Sequence, residues 1–263
     1  MKKTVSIVLS AIMLLLAFCS CTSNSTEFSY SSDMRFVLIP FSENGAQSSV
    51  GREQPVTLNQ LLDRCQESEE NGSELLIFKG KVAGNSTVYD IYDRAVEMVD
   101  FLDPEDEKER IIYSGMMTPV QIEELYYSTD PEIKENDIIT LHESYVYLNE
   151  ELFSKIPGLV EKYDLKIGDL LPSGATDQKY YKEMFLEKEY SYIIISFKNI
   201  DIFNDNAVYF HAWYYDNATI CIDKEPTPID YYGEDDRRAY SAYLNIRKEA
   251  IDYYINGNKE VLS

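Results

Sequence analysis

The sequence predicts an α+β fold that is mainly β, and three observations carry that prediction. Segments alternating apolar and polar residues recur from residue 75 onward, separated by turn-forming residues. One stretch, 149–173, breaks this rhythm with a helical pattern followed by a loop containing Gly168 and Pro172. Amphipathic helices flank the strands, one at the N-terminal side of the folded region and one at the C-terminal end over 234–256. The expected organisation is therefore a single β-rich domain over 55–263, with an inserted helix/loop segment and a C-terminal helix.

Ahead of that domain, Lys2 and Lys3 precede an apolar run from Val5 to Phe18. This is the charged and apolar pattern of a signal peptide, shorter than the roughly 20 residues a membrane-spanning helix needs. The stretch AFCSCTSN then places small Ser20 before Cys21, whereas Cys19 follows bulky Phe18. It resembles a bacterial lipoprotein signal, although Phe18 stands where such signals usually carry Leu. That resemblance implies a signal over 1–20, acylation of Cys21, and attachment to the extracytoplasmic face of the cell membrane. In residues 21–54, Cys21 is followed by TSNSTEFSYSSD, too poor in aliphatic residues to build a core, and the segment is expected to form a flexible tether.

The first helix is predicted from Thr57, where Thr57 and Gln60 have capping-box spacing and Leu58, Leu61, Leu62 and Cys65 follow a helical stripe. Asn71 and Gly72 end it, and LLIFKGKV at 75–82 is a strand leaving the core for solvent. TVYDIYDRAVEMVDF at 87–101 begins as a strand and finishes as a short helix, and DPEDEKER is expected to be a solvated loop. TPVQIEELYYS and DIITLHESYVYL are strands joined through EIKEND. A short helix is expected around Leu152 to Tyr163. YSYIIISFK is another strand, and AVYFHAWYYDNATICIDK reads as a hairpin turning at Asp216 and Asn217. In the last helix Glu234, Asp235 and Asp236 suit the positive N-terminus, Asn256 and Gly257 cap the end, and Tyr240, Tyr243, Leu244, Ile251 and Tyr254 form a face expected to dock on the sheet.

The order of IFKGKV, VQIEELYYS, EIKENDIITL and FLEKEYSYIIIS is similar to a small β-barrel region of exported Gram-positive proteins of unassigned function. The likeness covers roughly 57–223 and implies an OB-like antiparallel β-barrel, with structural rather than catalytic motifs. Asn136 stands where that pattern has a turn glycine, and residues 149–173 are inserted relative to it.

Charge excludes one class of partner. The net charge of −22 repels phosphate backbones, and no Lys/Arg cluster offsets it, so nucleic acid is not expected. Export would permit a disulfide between Cys65 and Cys221, while their apolar patterns equally fit two separate buried thiols. His142 and His211 lie alone on strand patterns without metal-ligand spacing, and no GxSxG, P-loop or GxGxxG motif occurs. With 46 acidic residues, no pair of carboxylates is distinctive in the sequence. Neither DPEDE nor IDIFNDN meets the EF-hand pattern, and no metal or cofactor is expected.

In YFHAWYY, the residues Tyr209, His211, Trp213 and Tyr215 share one strand face, and if exposed they would form a stacking platform for a sugar or an aromatic side chain. The expected function is a non-catalytic binding or interaction module at the cell envelope, with a glycan, peptide or protein ligand. The alternative is an extracytoplasmic hydrolase whose carboxylates and histidine assemble from distant segments.

Overall fold

The computed structural model describes residues 34–37, 39, 55–70, 73–98, 102–143, 145–172, 186–201, 206–211, 218–225 and 234–258. Cys21 and most of the expected signal and tether lie outside them. Helix α1 (Leu58–Glu70) starts as its capping pattern predicts, with the Gln60 amide donating to Thr57 Oγ1 at 3.2 Å. The Gln60 side chain closes the entry from the other side, accepting from the Val56 amide at 2.8 Å. Leu58, Leu61 and Cys65 are buried along one stripe.

Strand β1 (Glu74–Val82) follows, then β2 (Thr87–Asp90), α2 (Tyr92–Met98), α3 (Glu107–Ile112) and the long β3 (Ser114–Ser128). β4 (Ile138–Glu143), β7 (Tyr192–Asp201), β8 (Asn206–His211) and β9 (Thr219–Cys221) complete a curled, largely antiparallel sheet. β1 pairs antiparallel with both β3 and β7, β3 with β4, and β7 with β8. β4 and β8 meet in parallel through two residue pairs, Leu141 with Tyr209 and His142 with Phe210. Two register shifts between β1 and β3, at Ile77/Phe78 and Lys79/Gly80, bend the pair. Gly80 permits the tight approach there, since a Cβ at that position would lie 2.8 Å from the Gln121 carbonyl oxygen.

Strand alternation divides the core between the two faces of this sheet. Leu76, Phe78, Val120, Ile122, Leu141, Tyr192 and Ile194 fill the concave interior. Leu75, Ile77, Ile193, Ile195 and Phe197 face outward and are covered by α1 and by α6 (Glu234–Ala250). Helix α6 runs into a π-helical turn, Ile251–Ile255, and ends at Asn256, followed by Gly257 at φ 70°. It docks through Ala242, Tyr243, Ile246 and Ala250, and Ile251 and Tyr254 of the following turn pack on the same core, while Tyr240 and Leu244 of the expected face are only partly buried.

The inserted segment is a compact unit of its own. β5 (Tyr145–Tyr147) pairs with β6 (Leu170–Pro172), and α4 (Glu150–Lys155) and α5 (Pro157–Tyr163) pack over them around Val146, Leu148, Leu152, Ile156 and Leu159. Ile156, the residue before Pro157, has φ −130° and ψ 49°, which splits the single helix expected at 152–163 into two. Glu107 of α3 accepts from the first amides of α5, Gly158 N at 2.9 Å and Leu159 N at 2.6 Å. A further strand-like piece comes from within the stretch expected to be a tether. Phe36 bridges to Leu170, Arg35 binds the Asp169 carboxylate through both Nε (2.8 Å) and Nη2 (2.5 Å), and Ile39 is buried. This part of the expected tether is docked on the domain.

Three further expectations are corrected. DPEDEKER is not a solvated loop throughout, because Asp106 caps α3 by accepting from Lys108 and Glu109 amides while Arg110 and Ile111 are buried. DIITLHESYVYL is not one strand, since β4 stays in the main sheet and β5 joins the insertion. In the expected hairpin over residues 207–224, the described parts of the two arms do not pair with each other. β8 and β9 both pair with β7, at Ser196 to Asp201 and at Tyr192 to Ile194, so they follow one another along a single edge. The turn residues Asp216 and Asn217 lie outside the described residues.

Candidate functional site

A cleft of about 440 Å³ opens on the outer sheet face where α1 ends. Its floor is Leu62 of α1 with Leu75 and Ile77 of β1, and its rim is Gln66, Glu69, Glu70 and Tyr127. The volume falls within the range of small-ligand clefts. Each element contributes for a local reason. The helical stripe places Leu62 beside the sheet, and alternation points Leu75 and Ile77 outward under the helix. The register shift after Ile77 sets Tyr127 opposite Ile77 and leaves its ring 43% exposed. The Tyr127 hydroxyl donates to Glu69 Oε1 at 2.8 Å, and this bond to a carboxylate raises the phenol above its usual range.

Electrostatics mark the same place. The last turn of α1 carries Glu67, Glu69 and Glu70 and no basic residue. Helix C-termini favour cations, so this arrangement opposes the helix dipole and concentrates negative potential at the cleft mouth. The sequence contains the signal, in CQESEENG directly before the helix stop, although the strand and helix patterns alone do not connect it to Tyr127.

The interior of the sheet holds a second polar group. Glu143, 1% exposed, accepts from Thr118 Oγ1 and from the Leu186 amide at 3.4 Å, and the Ser86 and Thr118 hydroxyls lie 2.7 Å apart. Nearby Tyr192 accepts from the Glu187 amide at 2.8 Å, and burial pushes its phenol far above the usual range, which removes it as a proton donor or base near neutrality. His142 is adjacent in sequence to Glu143, and strand alternation sends it to the opposite face. There it packs against Gly115, where a Cβ would lie 2.5 Å from its Nε2, and meets the edge of Tyr89 at 5.7 Å between ring centroids.

A third cluster is structural. Arg110 pairs with Asp90 at 3.1 Å and Asp93 at 2.5 Å, Lys155 reaches Asp90 at 3.1 Å, and the Arg110 guanidinium lies 4.8 Å from the Tyr92 ring centre. The cations and carboxylates offset one another and join β2, α2, α3 and α4.

Among the described residues, no group of three or more His, Cys, Asp and Glu side chains is placed to hold a metal ion. Cys65 and Cys221 are free and buried on opposite faces of the sheet, which excludes their pairing. Of the predicted platform, Tyr209 and His211 fall on β8, whose side chains are not described, and Trp213 and Tyr215 lie outside the described residues. Among the described residues, no helix is long and apolar enough to cross a membrane. Comparison with protein-family models, curated proteins and solved structures finds no match to this chain.

Proposed function

We propose that the chain is a lipid-anchored protein of the cell envelope, held through Cys21 at the extracytoplasmic face, and that its folded part is a non-catalytic binding module. The observation that carries the binding reading is the open cleft beside α1, which combines apolar lining with an exposed tyrosine and the carboxylates of Glu69 and Glu70. Such a surface suits recognition, whereas a hydrolase would draw a histidine and acids into one recess, and His142 faces away from Glu143. Support for an OB-like barrel comes from the order of pairings, β1 to β3 to β4 to β8 to β7 and back to β1, with one parallel contact and the insertion between β4 and β7. The charged opening and Ser20–Cys21 sequence support the anchor.

The anchor is tested by palmitate labelling and membrane fractionation of wild type and Cys21→Ser in a bacterial host. Label and membrane association should both disappear in the variant. An unlabelled wild type recovered from the medium would instead identify a secreted soluble protein. The binding role is tested by amide chemical-shift mapping with envelope oligosaccharides and peptides, where shifts clustering at Leu62, Gln66 and Tyr127 are expected.

A further inference from the structure

We infer that the piece docked at residues 34–39 orients the folded part on the membrane, holding the inserted unit against the lipid headgroups and the far end of β3 away from them. This rests on the reading of Cys21 as the acylated residue and adds the surface that meets the bilayer. The docked piece is held in three ways. Its backbone pairs with β6, the Leu170 amide donating to the Arg35 carbonyl and the Val37 amide to the Leu170 carbonyl, both at 2.9 Å. Met34 and Phe36 pack toward Met116 and Tyr145, while Val37 and buried Ile39 join Val146 and Leu148 on the other side. Arg35 adds its two bonds to Asp169 and a third to the Asp164 carbonyl at 2.6 Å, which fixes the piece to the loop after α5.

The length of chain left between anchor and dock then sets the orientation. Thirteen peptide links join residue 21 to residue 34, and fully extended they reach at most about 45 Å. A folded unit of this size is itself about 45 Å across. Turning its opposite end to the bilayer would need a path around the body longer than that reach. The dock lies at the Met116 end of β3, and the eleven residue steps from Met116 to Tyr127 carry that strand away from it, a distance of about 35 Å. The end of β3 at Tyr127 therefore faces outward.

The surface at the dock suits headgroups. Around the loop after α5, Lys162, Lys166 and Arg35 match Glu161, Asp164 and Asp169 in number, whereas the whole chain carries −22. An anionic bilayer repels most of the chain and not this end. Ile167, 52% exposed in the turn before β6, offers an apolar side chain to the headgroup boundary, next to exposed lysines whose stems and charges extend toward phosphate.

The test puts a thiol-reactive fluorophore on the lipidated chain, reconstituted in vesicles of phosphatidylethanolamine and phosphatidylglycerol that carry a headgroup spin-labelled lipid as contact quencher. The reporter positions are Glu161→Cys in α5 and Glu132→Cys in the turn beyond β3, both exposed and each losing one carboxylate. Cys65 and Cys221 are buried and stay unlabelled, and circular dichroism checks that each variant is folded. Most of the emission should be lost at Glu161→Cys, while Glu132→Cys should keep its vesicle-free value. Inserting about twenty Gly and Ser residues between Thr26 and Glu27 keeps the dock and more than doubles the reach, which should bring the two reporters to similar quenching. The inference is overturned if, in protein that floats with the vesicles, neither reporter is quenched or Glu132→Cys is quenched as much as Glu161→Cys. It is also overturned if the contrast survives the insertion, because the short reach would then not be its cause. A chain that neither takes up palmitate nor floats with the vesicles would overturn the anchor itself, and this inference with it.

Discussion

Burial sets the chemistry of several single residues. Cys65 lies on the buried face of α1 with Leu58 and Leu61, against Ile246, and burial pushes its thiol up to about 12, while Cys221 on the concave face is raised for the same reason. Both thiols should resist alkylation in the folded protein at mildly alkaline pH and react once it is unfolded in urea, as counted by mass spectrometry. An intact mass showing a disulfide would contradict this arrangement. At the other electrostatic extreme, Lys198 donates to Asp130 at 2.5 Å and the Glu132 amide donates to the same carboxyl group at 2.9 Å, which together hold it below the ordinary carboxylate range. The folded state therefore favours the ionised form. Its contribution is present above about pH 4 and is lost as pH falls through the lowered value. Urea midpoints should accordingly separate wild type from Asp130→Asn near neutrality and converge at acid pH.

At the scale of elements, turns and caps decide where strands and helices stop. The β3–β4 turn passes through Asn136 at φ 73°, where its amide donates to the Ile122 carbonyl at 2.7 Å. This is the position at which the resembled barrel pattern carries glycine, and asparagine is the substitute that tolerates left-handed backbone best. Asn136→Gly should leave thermal stability unchanged or slightly higher. Asn136→Val should lower it by about 1–2 kcal/mol, measured by urea denaturation. The same scale explains the misread segments. Six residues of α3 offer a single buried turn, so DPEDEKER carries too few apolar residues to show a helical stripe, and its cap at Asp106 becomes meaningful only once Ile111 has a core to enter. The division of DIITLHESYVYL between β4 and β5 depends on β6, which arrives more than twenty residues later in the chain.

Across the whole molecule, the curled sheet is stable because both its faces are covered. The concave side is filled by its own side chains, and the convex side depends on α1 and α6. Arg247 of α6 also donates to the Cys221 carbonyl at 2.9 Å and the Ile222 carbonyl at 3.1 Å, fixing the helix to the end of β9. Removal of residues 234–263 would expose Ile77, Ile193, Ile195 and neighbouring apolar side chains together. The truncated protein should aggregate on size-exclusion chromatography and lose its cooperative urea transition, and a monodisperse, cooperatively folding product would show that α6 is dispensable.

Local residue pattern is enough to place the main helices and strands and their periods. The Thr57 cap, the apolar run of LLIFKGKV, the helical pattern between Leu152 and Tyr163 and the C-terminal helix are each encoded within a few neighbouring residues, where rotamer, capping and alternation rules act. Which strands are neighbours is set by long-range packing instead. β8 and β9 share the edge of β7 instead of pairing together, Arg35 ties the docked piece at residues 34–39 to Asp169, and Cys65 is separated from Cys221 by the sheet. The cleft belongs to the same category. Glu69 and Tyr127 are 58 positions apart, and they meet because a register shift in β3 brings Tyr127 beside the end of α1. Local pattern reflects short-range sterics and solvation, whereas pairing and clefts depend on contacts between distant segments that no local window contains.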